Sequence, residues 1–244
     1  MELTVIGYWG AYPAKNEATS GYLLRHADSA VLLDCGSGVL SRLQNEINLE
    51  QLDAVFITHT HADHFADVYA LEFSALVLTQ LGKRTRPLDV YIYGENLASL
   101  NFAYPDYVHV HPIEPARTVN VGELMFSFSE TVHEVPCCAI KATTREGANL
   151  IYSGDTGYCS SFIEFAENAD LLVLECSLYD VQKGVLDGHL TAGEAGEIAR
   201  LANAGYLILT HFPHYGDQRQ LAMEAARNYS GPIELAYSGL KWSF

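Results

Sequence analysis

Four potential metal ligands fall within six residues of this chain, in the run HTHADH from His59 to His64. The run directly follows the apolar stretch Ala54 to Ile57, which has the length and composition of a buried strand. Imidazole nitrogens and carboxylate oxygens are donors that divalent transition metals bind in proteins. We therefore expect a metal site in the loop after this strand, completed by ligands from elsewhere in the chain.

Length and charge limit the number of domains and the classes of partner that the chain can bind. The 244 residues, 49% hydrophobic and 18% charged, have the composition of a globular protein. No low-complexity linker divides the chain, so we predict a single domain over residues 1–244. The net charge of −16 opposes any binding that depends on broad neutralisation of nucleic-acid phosphates or anionic lipid headgroups.

Cysteine usage and hydropathy indicate the compartment. Five cysteines form no C-x-x-C pair, and an odd, irregularly spaced set suits a reducing environment better than a disulfide framework. The N-terminal residues lack the basic region of a signal peptide. No apolar stretch approaches the roughly 20 residues that a membrane span needs. We expect a cytoplasmic protein with no membrane partner.

The hydrophobic pattern predicts an α/β (α+β) fold in which two strand-rich halves form two sheets, packed face to face with helices outside. The middle third predicts an antiparallel meander, and helices and strands alternate after it. Predicted strands of the first two thirds are 3–7, 21–25, 30–33, 54–57, 88–93, 107–113, 119–121, 124–129 and 137–143, with helices at 39–47 and 65–80. Predicted later elements are strands 149–153, 171–174 and 206–209 and helices 162–166, 192–202 and 221–229.

Polar residues at strand ends supply the missing ligands, because α/β proteins build their sites from the loops that follow strands. Beyond the His59–His64 run, three such loops carry His133, Asp155 and His211. Taken alone, Asp155 fits a turn residue equally well, His211 is equally often no ligand, and His133 is more often a surface histidine. The run raises the significance of all three because it needs partners. The seven candidate ligands are His59, His61, Asp63, His64, His133, Asp155 and His211.

Seven ligands are enough for two divalent ions. His59 and His61, two apart in an extended segment, point to one side and can bind one ion, while Asp63 and His64 turn toward its neighbour. Asp155 can bridge, because each carboxylate oxygen satisfies one ion while the charge screens their repulsion. Nitrogen and oxygen donors without a thiolate favour Zn, with Mn or Fe also acceptable.

With these motifs the chain resembles the metallo-β-lactamase superfamily, which has a four-layer αββα sandwich and an H-x-H-x-D-H loop. Its stretches GHLTAGEA from Gly188 and LTHFPHY from Leu209 are similar to the ribonuclease Z-like phosphodiesterase branch. The resemblance implies that His59, His61 and His133 form site one, that Asp63, His64 and His211 form site two, and that Asp155 bridges them.

The resemblance also implies two catalytic residues. His189 would lie over the scissile phosphate and hold a phosphoryl oxygen or protonate the leaving group, with Glu175 orienting it. The alternative for His189 is a partner for the N-terminus of the helix that begins near Thr191. Asp63 would orient the attacking hydroxide as well as bind metal.

The chain departs from ribonuclease Z in one respect. The tRNA-binding arm of that enzyme would be inserted between His133 and Asp155, and here that interval is short and mostly strand. We therefore predict a dinuclear metal-dependent phosphodiesterase that acts on a small phosphodiester, such as a cyclic nucleotide, a cyclic phosphate or a short oligonucleotide, with tRNA an unfavoured partner.

Several alternatives stay open at this point. The same site could hydrolyse a carbon ester as a lactonase, thioesterase or β-lactamase-like enzyme, or process tRNA 3′ ends. A mononuclear iron oxygenase or a catalytically inactive scaffold would not need all seven ligands. The aromatic segment 101–107 either lines the pocket or, as we favour, is buried in the homodimer that the resemblance implies. The basic cluster Lys83, Arg84 and Arg86 either meets a phosphate or, as we favour, is a solvated helix end.

Overall fold

Two seven-stranded mixed sheets form the centre of the computed structural model, which describes all 244 residues. The first sheet has the order β14-β1-β2-β3-β4-β5-β6 and the second the order β13-β12-β11-β10-β9-β8-β7. Strands of the first sheet are β1 (Glu2–Gly7), β2 (Gly21–His26), β3 (Ser29–Leu33), β4 (Ala54–Ile57), β5 (Leu88–Ile92), β6 (Val108–Pro112) and β14 (Lys241–Ser243). Strands of the second are β7 (Val119–Val121), β8 (Leu124–Glu130), β9 (Cys138–Thr143), β10 (Asn149–Tyr152), β11 (Leu171–Glu175), β12 (Leu207–Thr210) and β13 (Ile233–Leu235).

Helices cover the outer face of each sheet. They are α1 (Val39–Leu43), α2 (Ala62–Phe65), α3 (Val68–Gln80), α4 (Ser160–Phe165), α5 (Ala192–Leu201) and α6 (Gln218–Ala225). Side chains of α1 and α3 share a buried cluster with the first sheet, and side chains of α5 and α6 pack with the second. Local sequence fixes the start of α5, where the Thr191 side chain accepts a hydrogen bond from the Glu194 N–H in a capping box.

The two-residue period of the strands explains the four layers. In β4, Ala54 and Phe56 join the cluster between the sheets, whereas Val55 and Ile57 join the cluster beneath α1 and α3. A strand apolar at every position is buried on both faces, as parallel strands covered by helices are. The αββα sandwich expected from the sequence is confirmed.

Four predicted elements differ from the structure, and one of them is the helix predicted at 221–229, which spans Gln218–Ala225. The predicted helix 65–80 is divided into α2 and α3, because the Asp67 N–H donates to the Cys35 carbonyl at 3.1 Å and its carboxylate accepts from the Leu40 N–H at 2.9 Å. These long-range bonds replace helical ones. The predicted helix 39–47 ends at Leu43. The strand predicted at 107–113 is not part of the meander, because β6 pairs in parallel with β5 in the first sheet.

The interpretation of the basic cluster as a solvated helix end is wrong for Arg84. Its side chain is buried, and its guanidinium donates to the Leu52 carbonyl at 2.8 Å and to the Pro87 carbonyl at 3.3 Å. Arg86 is exposed and pairs with Asp53. These contacts lie at the N-terminal ends of β4 and β5. The His59–His64 run follows the C-terminal end of β4, so the two arginines connect loops at the other end of the sheet and do not reach the run.

The aromatic segment 101–107 packs against α3. The Phe102 ring lies 5.5 Å from the Tyr69 ring, and the Tyr104 ring lies 5.2 Å from the Phe73 ring, between ring centroids. The segment therefore contacts a helix on the outer face of the first sheet and not the predicted ligands. All five cysteines are free thiols. No helix has the length and apolar character needed to cross a bilayer. The cytoplasmic location stays a prediction.

Candidate metal centre

Four loops at the C-terminal ends of strands bring the seven predicted ligands together. They follow β4, β8, β10 and β12, and the tight spacing of the sheets places their polar side chains in one buried cluster. The cluster divides into two groups of four that share Asp155. Group one contains His59, His61, His133 and Asp155, and group two contains Asp63, His64, His211 and Asp155.

Donor atoms of group one converge on a common centre. Nδ1 of His61 lies 3.1 Å from Nε2 of His59 and 3.1 Å from Nε2 of His133. Oδ2 of Asp155 lies 3.7 Å from the same two Nε2 atoms. Ligands about 2.0–2.2 Å from a tetrahedral zinc ion stand roughly 3.4 Å from one another. The spacing of these four donors therefore fits one small divalent ion.

Group two has the same spacing. Nε2 of His211 lies 3.1 Å from Oδ2 of Asp63 and 3.4 Å from Oδ1 of Asp155. Nε2 of His64 lies 3.2 Å from the same Asp155 oxygen and 3.7 Å from Asp63 Oδ2. Asp155 thus presents one oxygen to each group, as a bridging carboxylate must.

The environment of the Asp155 carboxylate is one that bound cations would stabilise. The residue is buried, and its Oδ1 has no hydrogen-bond partner although two imidazole nitrogens lie close to it. Burial alone would raise the pKa of Asp155, but His211 and His64 hold this pKa well below its usual value. A buried carboxylate oxygen without a hydrogen-bond donor is costly unless a cation compensates it. The donor set therefore fits two divalent ions.

Histidine pKa values differ between the two groups. Burial lowers the pKa of His59 well below its usual value, and burial likewise lowers the pKa of His61, so both are neutral and offer a lone pair. Burial would also lower the pKa of His64 and that of His211. The nearby carboxylates outweigh burial there and raise both values, led by Asp155 in each case.

Asp34 contacts His64 directly and His59 through Thr58, and it was not among the site residues predicted from the sequence. Its Oδ2 lies 2.6 Å from Nδ1 of His64, which leaves Nε2 of that ring free to bind metal. The same oxygen accepts from the Thr58 hydroxyl at 3.0 Å, and that hydroxyl lies 3.1 Å from Nδ1 of His59. Asp34 follows β3 directly, so the strand-end rule that identified the ligands could have identified it too.

Ser177 joins group two to His189, and sequence reasoning also missed it. Its hydroxyl lies 2.8 Å from Nδ1 of His211 and 3.3 Å from Nδ1 of His189, and it donates to Glu175 Oε2 at 2.7 Å. Nδ1 of His189 lies 2.8 Å from Glu175 Oε1. The predicted pairing of Glu175 with His189 is therefore present in the structure. Glu175 is the last residue of β11 and Ser177 lies in the loop that follows it. The predicted ligands likewise lie in loops that follow strands.

His189 is positioned by Glu175 and not by the helix behind it. Thr191 and Glu194 form the cap of α5, which excludes the alternative that His189 serves as that cap. Burial lowers the pKa of His189, but the Glu175 carboxylate outweighs it and raises the pKa to about 10. The Glu175 carboxylate therefore favours the protonated ring, whose Nε2–H can donate to an oxygen atom beside group two.

A strained backbone and a glycine place His211. Its φ angle of 58° lies in the left-handed region, which non-glycine residues rarely occupy outside functional sites. A Cβ atom on Gly10 would lie 2.9 Å from Cε1 and Nδ1 of the His211 ring. Glycine at position 10 therefore permits the close approach of the loop before Tyr12 to this imidazole.

Comparison with known proteins identifies the family. Residues 29–212 match the family model described as a beta-lactamase superfamily domain. The chain belongs to this superfamily. The probable metallo-hydrolase YhfI of Bacillus subtilis (strain 168) is 40% identical over 244 residues, which cover 99% of each chain. The crystal structure of YhfI has a TM-score of 0.95 and covers 99% of this chain and 98% of its own.

The chain is also similar to a ribonuclease Z and, in fold, to a diphosphatase. A ribonuclease Z of Myxococcus xanthus (strain DK1622) is 27% identical over 301 residues, 98% of this chain and 96% of that protein. A diphosphatase of the PhnP family is similar in fold alone, with 20% identity, a TM-score of 0.73 and coverage of 100% and 97%. The chain is a metal-dependent hydrolase of the β-lactamase fold, as the sequence predicted.

Proposed function

We propose that the protein is a dinuclear phosphodiesterase that hydrolyses a small phosphodiester. One observation carries the proposal: a histidine that is not a predicted ligand, His189, is held by the Glu175 carboxylate beside two ligand groups that share one carboxylate. Its ring centroid lies 5.0 Å from that of His133 and 5.7 Å from that of His211. A cationic donor beside two cations suits a substrate that carries negative charge before and during reaction, as a phosphodiester does.

Each residue has a distinct task in this mechanism. Two divalent ions, for which the donor chemistry favours zinc, would supply Lewis acidity and hydroxide at neutral pH when bound. Asp63, whose Oδ2 accepts the Ala11 N–H at 2.7 Å, is held in place to orient the attacking nucleophile. His189 donates its Nε2–H to a phosphoryl oxygen or to the departing alkoxide. Glu175 and Ser177 fix the ring so that this nitrogen faces the site.

A small substrate is favoured over tRNA. Between His133 and Asp155 the chain forms only β9, β10 and their connections, so no arm extends from this part of the site. The net charge of −16 also opposes association with a polyanion. A carbon ester, in contrast, would not need the additional positive charge of His189 in its ground state.

Metal content and turnover test the proposal together. We expect about two ions per chain by mass spectrometry, and turnover of bis(p-nitrophenyl) phosphate that a chelator abolishes and zinc restores. His59→Ala and Asp155→Ala should lose this turnover. One iron per chain with no diesterase activity, or faster hydrolysis of a lactone than of the diester, would overturn the proposal.

The chain offers a matched control for incidental metal binding. Asp89, His109 and His111 form another carboxylate and imidazole group, but it lies on β6, the edge strand of the first sheet, and on its neighbour β5. His111→Ala removes a histidine from that group and should leave the diesterase rate unchanged. Loss of turnover in this variant would show that the rate depends on metal bound outside the predicted centre.

A further inference from the structure

A cavity of about 280 Å³ opens beside group two, and the residues around it have no charged carboxylate, ammonium or guanidinium group. His189 and the predicted ligand His211 are among the residues that line it, so a phosphate bound beside these two residues would lie next to the cavity. The other lining residues come from three loops, and we call the space the Tyr12 pocket. They are Gly10, Ala11, Tyr12, Ser177, Leu178, Leu186, Phe212, Pro213, His214 and Tyr215.

Tyr12 and His214, which line the Tyr12 pocket, belong to a stack of three aromatic rings. The His214 ring lies between Trp9 and Tyr12, with centroids 4.6 Å and 3.7 Å away and interplanar angles of 13° and 7°. Nε2 of His214 donates to the Tyr12 carbonyl at 2.7 Å, which holds the ring in the stack. Tyr12 is nevertheless 58% exposed. It is an aromatic ring supported on one side and open on the other.

This ring is fixed relative to the predicted metal ligands. Ala11, the residue before Tyr12, donates its N–H to Asp63 Oδ2 at 2.7 Å. Ala11 has a φ angle of 62°, a left-handed conformation that turns the chain so that Tyr12 follows at the rim. A platform that is already in position loses little entropy when a ligand stacks on it.

Size and polarity restrict what the pocket can hold. Leu178 and Phe212 are buried apolar walls, and Pro213 and Leu186 extend them. Pockets for drug-sized molecules begin at about 300 Å³, so about 280 Å³ suits one planar ring system and not a dinucleotide. The absence of lysine and arginine from the lining leaves nothing to neutralise a further phosphate group.

We propose that the Tyr12 pocket binds the uncharged base of a nucleotide phosphodiester, stacked on the open face of Tyr12, while the phosphate lies at His189 and His211. The inference rests on the proposed phosphodiesterase function for the position of the phosphate. It adds the substrate class: a nucleoside phosphodiester with a single anionic group, in preference to sugar phosphates and polyphosphates.

Binding of two phosphates that differ only by a base tests the inference. Adenosine 5′-monophosphate and ribose 5-phosphate are titrated into the zinc-loaded protein by calorimetry, and their inhibition of bis(p-nitrophenyl) phosphate turnover is measured in parallel. Stacking of one base on an aromatic side chain predicts about 5- to 150-fold tighter binding of the nucleotide. Equal affinities for the two compounds in the wild-type protein overturn the inference, whatever the variants do.

Variants locate the base. Tyr12→Ala should reduce the preference for the nucleotide to about twofold or less, and Tyr12→Phe, which keeps the ring, should preserve it. Tyr237→Ala is the matched control, because this tyrosine is also exposed but does not line the pocket. A Tyr12→Ala protein that keeps the full preference overturns the assignment of the platform.

The two proposals fail separately. Absence of bis(p-nitrophenyl) phosphate turnover by zinc-loaded protein overturns the phosphodiesterase proposal, while calorimetry still reports whether a base is preferred. Normal turnover with no base preference overturns only the Tyr12 pocket. Ribose 5-phosphate provides this separation because it reaches the same phosphate position without entering the pocket.

Discussion

Replacement of Asp34 by asparagine tests how the two ligand groups are oriented. The buried carboxylate accepts four hydrogen bonds: Oδ1 accepts from the Thr58 N–H at 2.8 Å, and Oδ2 accepts from His64, the Thr58 hydroxyl and the Tyr152 hydroxyl at 2.6, 3.0 and 2.7 Å. Asparagine keeps the shape and tolerates the left-handed φ of 57° at this position. The substitution therefore changes the hydrogen bonding and charge without new backbone strain.

The hydrogen-bond count gives the size of the effect. An amide presents one acceptor oxygen with two lone pairs, so its oxygen at the Oδ2 position satisfies two of the three donors there. Its NH₂ group then faces the Thr58 N–H. At least two buried donors lose their acceptor, at about 1–3 kcal/mol each, which predicts a loss of about 2–6 kcal/mol in the free energy of unfolding.

Metal affinity should fall as well. Without the carboxylate, Nδ1 of His64 loses the acceptor that keeps Nε2 free for metal, and the Thr58 link to His59 is weakened. Loss of such an orienting partner typically reduces metal affinity about 10- to 100-fold. Urea unfolding of the metal-free protein measures the first effect, and zinc titration against a competing chelator measures the second.

Tyr152→Phe provides the control for Asp34→Asn. It removes one of the four donors to Asp34, and the Tyr152 hydroxyl donates to no predicted ligand. We expect a smaller loss of stability and no change in zinc affinity. If Asp34→Asn binds zinc as tightly as the wild type and unfolds at the same urea concentration, the orienting role of Asp34 is refuted.

Three further changes have defined outcomes. Glu175→Gln removes the carboxylate that raises the pKa of His189 to about 10. The His189 ring then loses its proton at a lower pH, so the alkaline limb of the kcat/KM profile should move to lower pH. An alkaline limb at the same pH as in the wild type contradicts this. Gly10→Ala places a Cβ 2.9 Å from the His211 ring, so metal content should fall toward one ion per chain by mass spectrometry, and two retained ions would be a contrary result. The homodimer stays a prediction. Phe73, 50% exposed on α3, is a candidate interface residue, so Phe73→Asp should shift a dimer to monomer in sedimentation, whereas a monomeric wild type would disprove it.

Local sequence was enough to identify the candidate ligands, which the structure brings together, and most of the strands. His59 and His61 share one group because two-residue spacing in an extended segment places side chains on one side. The continuous apolar run of β4 and the capping box of α5 likewise depend only on neighbouring residues. Such features depend on interactions within a few residues, so they can be read before the fold is known.

Other features depend on residues that are far apart in the chain. Asp67 interrupts a helical pattern because it forms hydrogen bonds with the backbone of Cys35 and Leu40. The strand β6 belongs to the first sheet because its backbone pairs with that of β5. Arg84 is held in a buried position because the distant Leu52 carbonyl accepts from it, together with the nearby Pro87 carbonyl. No local periodicity encodes these partners.

The sequence by itself determined which chemical groups the protein can bring to a metal and at which strand ends they stand. Only the tertiary structure decided their partners: Asp34 for His64, Ser177 for His211 and the loop of Tyr12 for Asp63. The physical reason is that ligand type is a property of single side chains, whereas a hydrogen bond requires two atoms within about 3 Å. The order of strands in two packed sheets sets that distance.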